Sequence, residues 1–185
     1  MTARLFLLVL IALTTCSCGS PLRADAIDSL GEEQGELPSE FHRPGQPCVL
    51  CHSAAGGVHP ILSIGGTLFF ESTDGTEAPE ALFPAAGFAV VVIDSEGQER
   101  QMQSNDCGNF YVLEEDFKPV YPLATEIRNE AGAVTNKMMS RIGRSGSCGS
   151  CHLEQKSPQS PGVIRVADAK PDDKPNCPIP RFLKP

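Results

Sequence analysis

The stretch Phe88-Ala89-Val90-Val91-Val92-Ile93, followed at once by Asp94-Ser95-Glu96-Gly97, decides the fold class of this chain. A short apolar run that ends in four β-branched residues is typical of a strand covered on both faces. The Asp, Ser and Gly residues that follow favour a tight turn. We therefore expect residues 100–104 to return as the hairpin partner of this strand.

Other short segments along the chain carry similar signals. They combine alternating or continuous apolar character with neighbouring Gly or Asn turns, and they are residues 68–70, 110–113, 123–128, 133–139 and 163–166. Many short strands with turns between them indicate a single antiparallel β-sandwich with little helix.

The N-terminus indicates export. A basic residue precedes apolar residues 5–13, which are too few to span a bilayer and are typical of a secretory signal peptide. Because cysteines follow directly, we predict a lipoprotein-type signal over residues 1–18, with lipidation at Cys18 or Cys16. The A-x-A pattern at residues 24–26 is an alternative cleavage site that would remove both cysteines. The expected location is the periplasm or cell surface, with a lipid anchor in a membrane.

The rest of the chain divides into a linker and one domain. Residues 19–46 are polar and rich in Gly, Glu and Pro, which predicts a flexible polar tether. Residues 47–185 form the predicted domain, with a Pro-rich C-terminal tail. The formal net charge of −8 at pH 7 argues against nucleic acid as a partner and favours basic or neutral redox proteins.

Two segments carry the chemistry: Cys48-Val49-Leu50-Cys51-His52 and Cys148-Gly149-Ser150-Cys151-His152. Both have the C-x-x-C-H spacing of haem c attachment. Cysteines three apart on a helical turn project to one side and can reach the two vinyl groups of one haem, while the adjacent histidine offers an axial nitrogen. The spacing predicts two covalently attached haems, with His52 and His152 as proximal iron ligands. The alternatives are a Zn(Cys)4 site made by the four cysteines, or disulfides.

Several residues are candidates for the distal iron ligands. His42 and His59 are the only other histidines, and together with the motif histidines they supply four imidazoles for two irons. Either could instead be an exposed loop residue. Met138 and Met139 precede the second motif, and one of them could provide a thioether ligand, which raises the reduction potential. Their alternative role is ordinary core packing.

Two further cysteines, Cys107 and Cys177, remain after haem attachment. In an exported protein the simplest use for two spare thiols is a disulfide. Such a bond would hold the Pro-rich tail on the sheet, although one thiol could equally be free.

Residues 64–113 resemble the carboxypeptidase-regulatory-like (transthyretin-like) β-sandwich family. The resembling segments are Gly66-Thr67-Leu68, Gly87-Phe88-Ala89-Val90-Val91-Val92, Asp94-Ser95-Glu96-Gly97 and Asp106-Cys107-Gly108-Asn109-Phe110-Tyr111. Both haem motifs match c-type cytochromes at every defined position. The resemblance implies a β-sandwich with a haem-binding segment before and after the sheet, in place of the helical fold of small monohaem cytochromes c.

These features favour an electron carrier, a dihaem c-type cytochrome of the bacterial envelope whose partners are redox proteins such as other multihaem cytochromes. One alternative is a haem enzyme, a peroxidase or small-oxide reductase, which needs one iron with an open coordination site. A second alternative is a haem-bearing binding module. No catalytic constellation stands out in the sequence, so we expect no enzyme activity.

Overall fold

A computed structural model describes residues 21–31, 39–70, 82–166 and 177–178. The chain divides into two units, and in the described part of the first, residues 21–31, α1 spans Pro21–Asp28 and contains the A-x-A pattern. This short helix lies in the segment for which the sequence predicts a flexible polar tether. The predicted signal segment, with Cys16 and Cys18, lies outside the described residues. No helix within the described ranges is long and apolar enough to cross a membrane.

The second unit comprises residues 32–185 and is mainly β, as the sequence predicts. Its elements are α2 (Cys48–Cys51), β1 (Leu62–Phe70), β2 (Ala89–Ile93), β3 (Glu99–Gln103), β4 (Asn109–Leu113), β5 (Ala124–Arg128), β6 (Val134–Lys137), β7 (Gly146–Ser147), the 3-10 helix Cys148–Ser150, and β8 (Ile164–Val166). The strands form two four-stranded sheets, one with the order β3-β2-β5-β6 and one with β1 at the centre of β4, β7 and β8.

The β2–β3 hairpin confirms the prediction from the deciding stretch. Val90 pairs with Met102 in antiparallel register, and Val90, Val91 and Val92 are each at most 1% exposed. The Asp94 carboxylate closes the turn by accepting the backbone N–H groups of Glu96, Gln98 and Val120. Burial raises the pKa of this carboxyl, but these backbone hydrogen bonds outweigh burial and lower the pKa below its ordinary value.

The sheet around β1 contains parallel as well as antiparallel pairs. β1 pairs with β4 in antiparallel register, but it pairs with β7 and β8 in parallel register. Hairpin signals in a sequence predict antiparallel neighbours, because a tight turn can join only antiparallel strands. Parallel partners arrive after long connections, which no local pattern indicates.

The hydrophobic core lies where the two sheets face each other. Its buried side chains come from both sheets and from the loops between them: Ile64, Leu68, Ala85, Phe88, Val90, Val92, Met102, Phe110, Val112, Phe117, Leu123, Ile127 and Val166. Side chains alternate across a strand, so Val90 and Val92 reach this core from the same face of β2.

Residues 39–46 are hydrogen-bonded to the sheet. The side chains of Asn105 and Asn109 donate to the carbonyl oxygen of Glu40, and Asn109 also donates to that of His42. The Gly45 N–H donates to Thr67 Oγ1. These hydrogen bonds attach the segment before the first haem motif to the sheet.

Candidate haem sites

The two C-x-x-C-H motifs share one local geometry. In each, the histidine N–H donates to the carbonyl oxygen of the first cysteine, at 3.0 Å for His52 and 2.9 Å for His152. The thiol of each first cysteine lies against the carbonyl oxygen two residues earlier, at 3.5 Å for Cys48 and 3.7 Å for Cys148. The first motif forms α2 and the second begins as the 3-10 helix. Both adopt the helical turn that the spacing predicts.

Each motif histidine is oriented by a backbone carbonyl. His52 Nδ1 lies 2.9 Å from the Pro60 oxygen, and His152 Nδ1 lies 2.9 Å from the Gly162 oxygen. A carbonyl oxygen can only accept, so Nδ1 of each ring carries the proton. The lone pair of Nε2 is then available in both rings, which is the tautomer that a metal-ligating histidine needs.

The glycine pair Gly65-Gly66 of β1 brings the two motifs side by side. A Cβ atom at Gly65 would lie 3.0 Å from Cys48 Cβ, and one at Gly66 would lie 2.7 Å from Cys148 Cβ. A Cβ on Gly149 of the second motif would lie 2.6 Å from the Gln46 carbonyl oxygen, just before the first motif. Because these two consecutive residues are glycines, two cysteines that are 100 positions apart in the sequence can both pack against β1.

The four motif cysteines are free thiols. Burial is the main cause that raises the pKa of Cys48 to about 11 and that of Cys148 to about 12, and the charge of a neighbouring cysteine contributes to each value. Both thiols are therefore protonated at neutral pH. Each carries the S–H group that a thioether bond to a vinyl carbon would use.

His42 faces His52 across the first motif. The two Nε2 atoms are 3.4 Å apart, and the ring centroids are 5.5 Å apart. His42 Nδ1 also contacts a carbonyl oxygen, that of Ser39, so this ring too carries its proton on Nδ1. Two Nε2 lone pairs then point at each other, an arrangement that a shared cation relieves. Metal–nitrogen bonds of roughly 2.0 Å place trans imidazole nitrogens about 4 Å apart, close to the separation here.

His59 is not part of this pair, although the sequence predicts it as an equal candidate. Its side chain is exposed, and within the described ranges no hydrogen bond or ring contact joins it to His52. The turn after α2 carries His59 outward, whereas the hydrogen bonds from Asn109 hold the backbone of His42 against the sheet.

A cavity of about 1190 Å³ opens beside the second motif. Cys148, Cys151 and His152 line it on one side, and Met138 and Met139 line it as well. Ligand pockets in proteins are roughly 300–1,000 Å³, so this space is sufficient for a tetrapyrrole. Neither methionine belongs to the hydrophobic core, because Met138 is half-buried and Met139 is 96% exposed.

The polar lining of this cavity fits a group with an apolar body and anionic substituents. Four basic residues line it (Lys137, Arg141, Arg144 and Arg165), against one acidic residue, Glu126, in a chain of net charge −8. Three lining side chains also have a buried oxygen without a hydrogen-bond partner: Thr125 Oγ1, Asn136 Oδ1 and Ser147 Oγ. Hydroxyl donors and guanidinium groups are suitable partners for the two propionates of a haem.

The structure distinguishes between the two other roles considered for cysteines, a disulfide and a Zn(Cys)4 site. Cys107 and Cys177 form a disulfide, with their Cα atoms 4.6 Å apart and both side chains fully buried. Among the residues that the structure describes, no three His, Cys, Asp or Glu side chains converge to hold one metal ion, so the four motif cysteines do not form a Zn(Cys)4 cluster there. A haem requires only one or two protein ligands to its iron.

Comparison of the chain with protein-family models, curated proteins and solved structures gives no match. The site is therefore interpreted from its own geometry. Sequence reasoning missed the role of Gly65-Gly66 and the basic lining supplied by Arg141, Arg144 and Arg165. The glycine doublet is visible in the sequence as a break in an apolar strand, which can mark a close approach. The arginines carry no local signal.

Proposed function

We propose that this chain is a dihaem c-type cytochrome that transfers electrons in the bacterial envelope. The observation that carries the proposal is that two C-x-x-C-H motifs with similar local geometry pack against neighbouring glycines of β1. Both motifs present the same histidine tautomer and the same thiol placement. A single motif with this geometry could arise by chance, but an equivalent pair in contact is expected of two haems that exchange electrons.

The residues of each motif have separate tasks in this proposal. The cysteine pairs would hold the haems covalently, each S–H group adding across one vinyl double bond to give one C–S and one C–H bond. His52 and His152 would hold the iron through Nε2, and the carbonyls of Pro60 and Gly162 orient their rings. When bound, the haem supplies reversible one-electron chemistry between ferric and ferrous iron. The burial of His52, which is 9% exposed, keeps water from this ligand.

We assign His42 as the distal ligand of the first haem. Its Nε2 atom faces that of His52, and its backbone is fixed by Asn109. With two imidazoles the iron has no open position, so this site carries electrons and does not bind substrate.

The envelope location rests on the apolar residues 5–13 and the cysteines Cys16 and Cys18. An exported, lipid-anchored protein lies in an oxidising compartment, and the Cys107–Cys177 disulfide is stable in such a compartment. The net charge of −8 favours redox partners with basic docking surfaces, including other multihaem cytochromes.

The experiment that tests the proposal is haem analysis of the mature protein from an export-competent host with a cytochrome c maturation system. We expect two covalent haems per chain by intact mass and by the pyridine haemochrome spectrum. A mature chain without covalent haem would refute the proposal.

A matched pair of variants tests the ligand assignment. His42→Ala removes one strong axial ligand, so we expect a high-spin ferric signal from one haem in the low-temperature EPR spectrum. His59→Ala is the control, because this residue is exposed, and it should leave the spectrum unchanged. The reverse pattern would assign the first haem to His59 and contradict the geometry.

A further inference from the structure

We propose that Met138 is the distal iron ligand of the second haem, so that the two haems differ in ligation and in reduction potential. This inference rests on the proposed function. It differs from a symmetric bis-histidine cytochrome, in which each iron would take two of the four histidines.

The histidine count limits the choices at the second site. His42 faces His52 of the first motif. His59 follows the first motif in the sequence, and its side chain is exposed. The cavity beside His152 contains no second histidine among its described lining residues. The described lining offers the two thioethers of Met138 and Met139 as ligands for a low-spin haem iron, besides the amine of Lys137, which pairs with Glu126 at 3.9 Å.

Strand pleating separates these two methionines. The β5–β6 ladder pairs Asn136 with Ile127 and Lys137 with Glu126, and the Met138 N–H continues it by donating to the Thr125 carbonyl at 3.0 Å. Side chains alternate along a strand, so Met138 lies on the face of Asn136. Asn136 Oδ1 is buried and the cross-strand neighbour Ile127 is 5% exposed, whereas Lys137 between Asn136 and Met138 is exposed, so this is the inner face of the sheet.

Exposure agrees with this placement. Met138 is half-buried, whereas Met139 is 96% exposed on the opposite side of the chain. A half-buried side chain has fewer accessible rotamers than a fully exposed one, so it loses less conformational entropy on binding. Met138 is therefore preorganised for the second site, and Met139 is its matched control.

Unequal ligation gives the pair a direction. Methionine raises the reduction potential of a haem relative to histidine, so the second haem would be the more oxidising one. The basic side chains around its cavity favour the reduced haem, which carries one positive charge less than the oxidised haem, so they also raise its potential. Electrons would therefore pass from the first haem to the second.

The test begins with the mature protein after its two haems have been verified by mass. We expect the weak near-infrared charge-transfer band of methionine-ligated ferric haem, and two separate potentials in a spectroelectrochemical titration. Met138→Leu should abolish the band and produce one high-spin signal, while Met139→Leu should retain both the band and the two low-spin signals.

A third variant keeps the test independent of folding defects. Met138→His should restore a low-spin iron without the band and lower the potential of one haem, because an imidazole replaces the thioether at the same place. A dihaem protein that lacks the band, or a Met138→Leu variant that keeps it, would overturn the assignment and leave the cytochrome proposal intact. A chain without covalent haem would overturn both.

Discussion

Replacing Gly66 with Ala tests whether β1 brings the two haem motifs together. The added methyl group would lie 2.7 Å from Cys148 Cβ, 2.8 Å from Phe110 Cζ and 3.2 Å from Cys148 Sγ. Carbon atoms normally approach to roughly 3.5–4.0 Å, so each of these contacts is repulsive. Phe110 is 1% exposed in the core and Cys148 belongs to the 3-10 helix packed on β1, so neither can move freely.

The expected cost follows from two opposing effects. Overpacking a buried site costs about 1–3 kcal/mol, whereas replacing glycine with alanine stabilises by about 0.4–1 kcal/mol through the unfolded chain. The clash is larger, so the free energy of unfolding should fall by about 1–2 kcal/mol. Gly65→Ala should cost less, because its closest contact is 3.0 Å from Cys48 Cβ.

The assay is urea unfolding of the mature protein, together with the number of covalent haems per chain. Gly143→Ala is the control, since no atom lies within 4 Å of its added methyl group. We expect Gly66→Ala to lose stability and to show incomplete attachment at the second motif. If Gly66→Ala matched Gly143→Ala in both measurements, the proposed contact between β1 and Cys148 would be refuted.

Two further predictions concern the sheet. The disulfide closes a loop with a sequence separation of 70, so a variant with Cys107→Ser and Cys177→Ser should lose about 4 kcal/mol in urea unfolding by the chain-entropy relation. Equal stability of the variant and the parent would contradict a structural role for this bond. Asp94→Asn should lower the urea midpoint at pH 7, because the carboxylate accepts three backbone N–H groups. The folded pKa of Asp94 is lowered, so this stabilisation is present above its ordinary value of 3.8 and is lost as pH falls through the folded pKa. A midpoint difference that persisted unchanged in strong acid would contradict the reasoning.

Local chemistry explains what could be predicted from the sequence. The β2–β3 hairpin depends on a β-branched run and an adjacent turn, all within 16 consecutive positions between Phe88 and Gln103. The helical turn of each C-x-x-C-H motif likewise depends on neighbouring residues. Both are determined by backbone preferences and side-chain spacing, which are readable without knowing the fold.

Tertiary contacts decided which residues can share a site. The sequence offers His42 and His59 as equals, and only the attachment of residues 39–46 to the sheet places His42 opposite His52. It also offers Met138 and Met139 as equals, and only the β5–β6 register distinguishes them. In both cases the competing residues have the same chemistry, so composition and spacing could not separate them.

The amino-acid sequence by itself determined the β-rich fold class, the central hairpin and the helical turns of the two C-x-x-C-H motifs. The tertiary structure alone decided the mixed pairing around β1, the meeting of Cys48 and Cys148 at Gly65-Gly66, and the basic cavity beside His152. The physical reason is separation along the chain. Hairpins and helical turns arise from interactions between near neighbours, whereas contacts across 100 residues depend on how the whole chain packs.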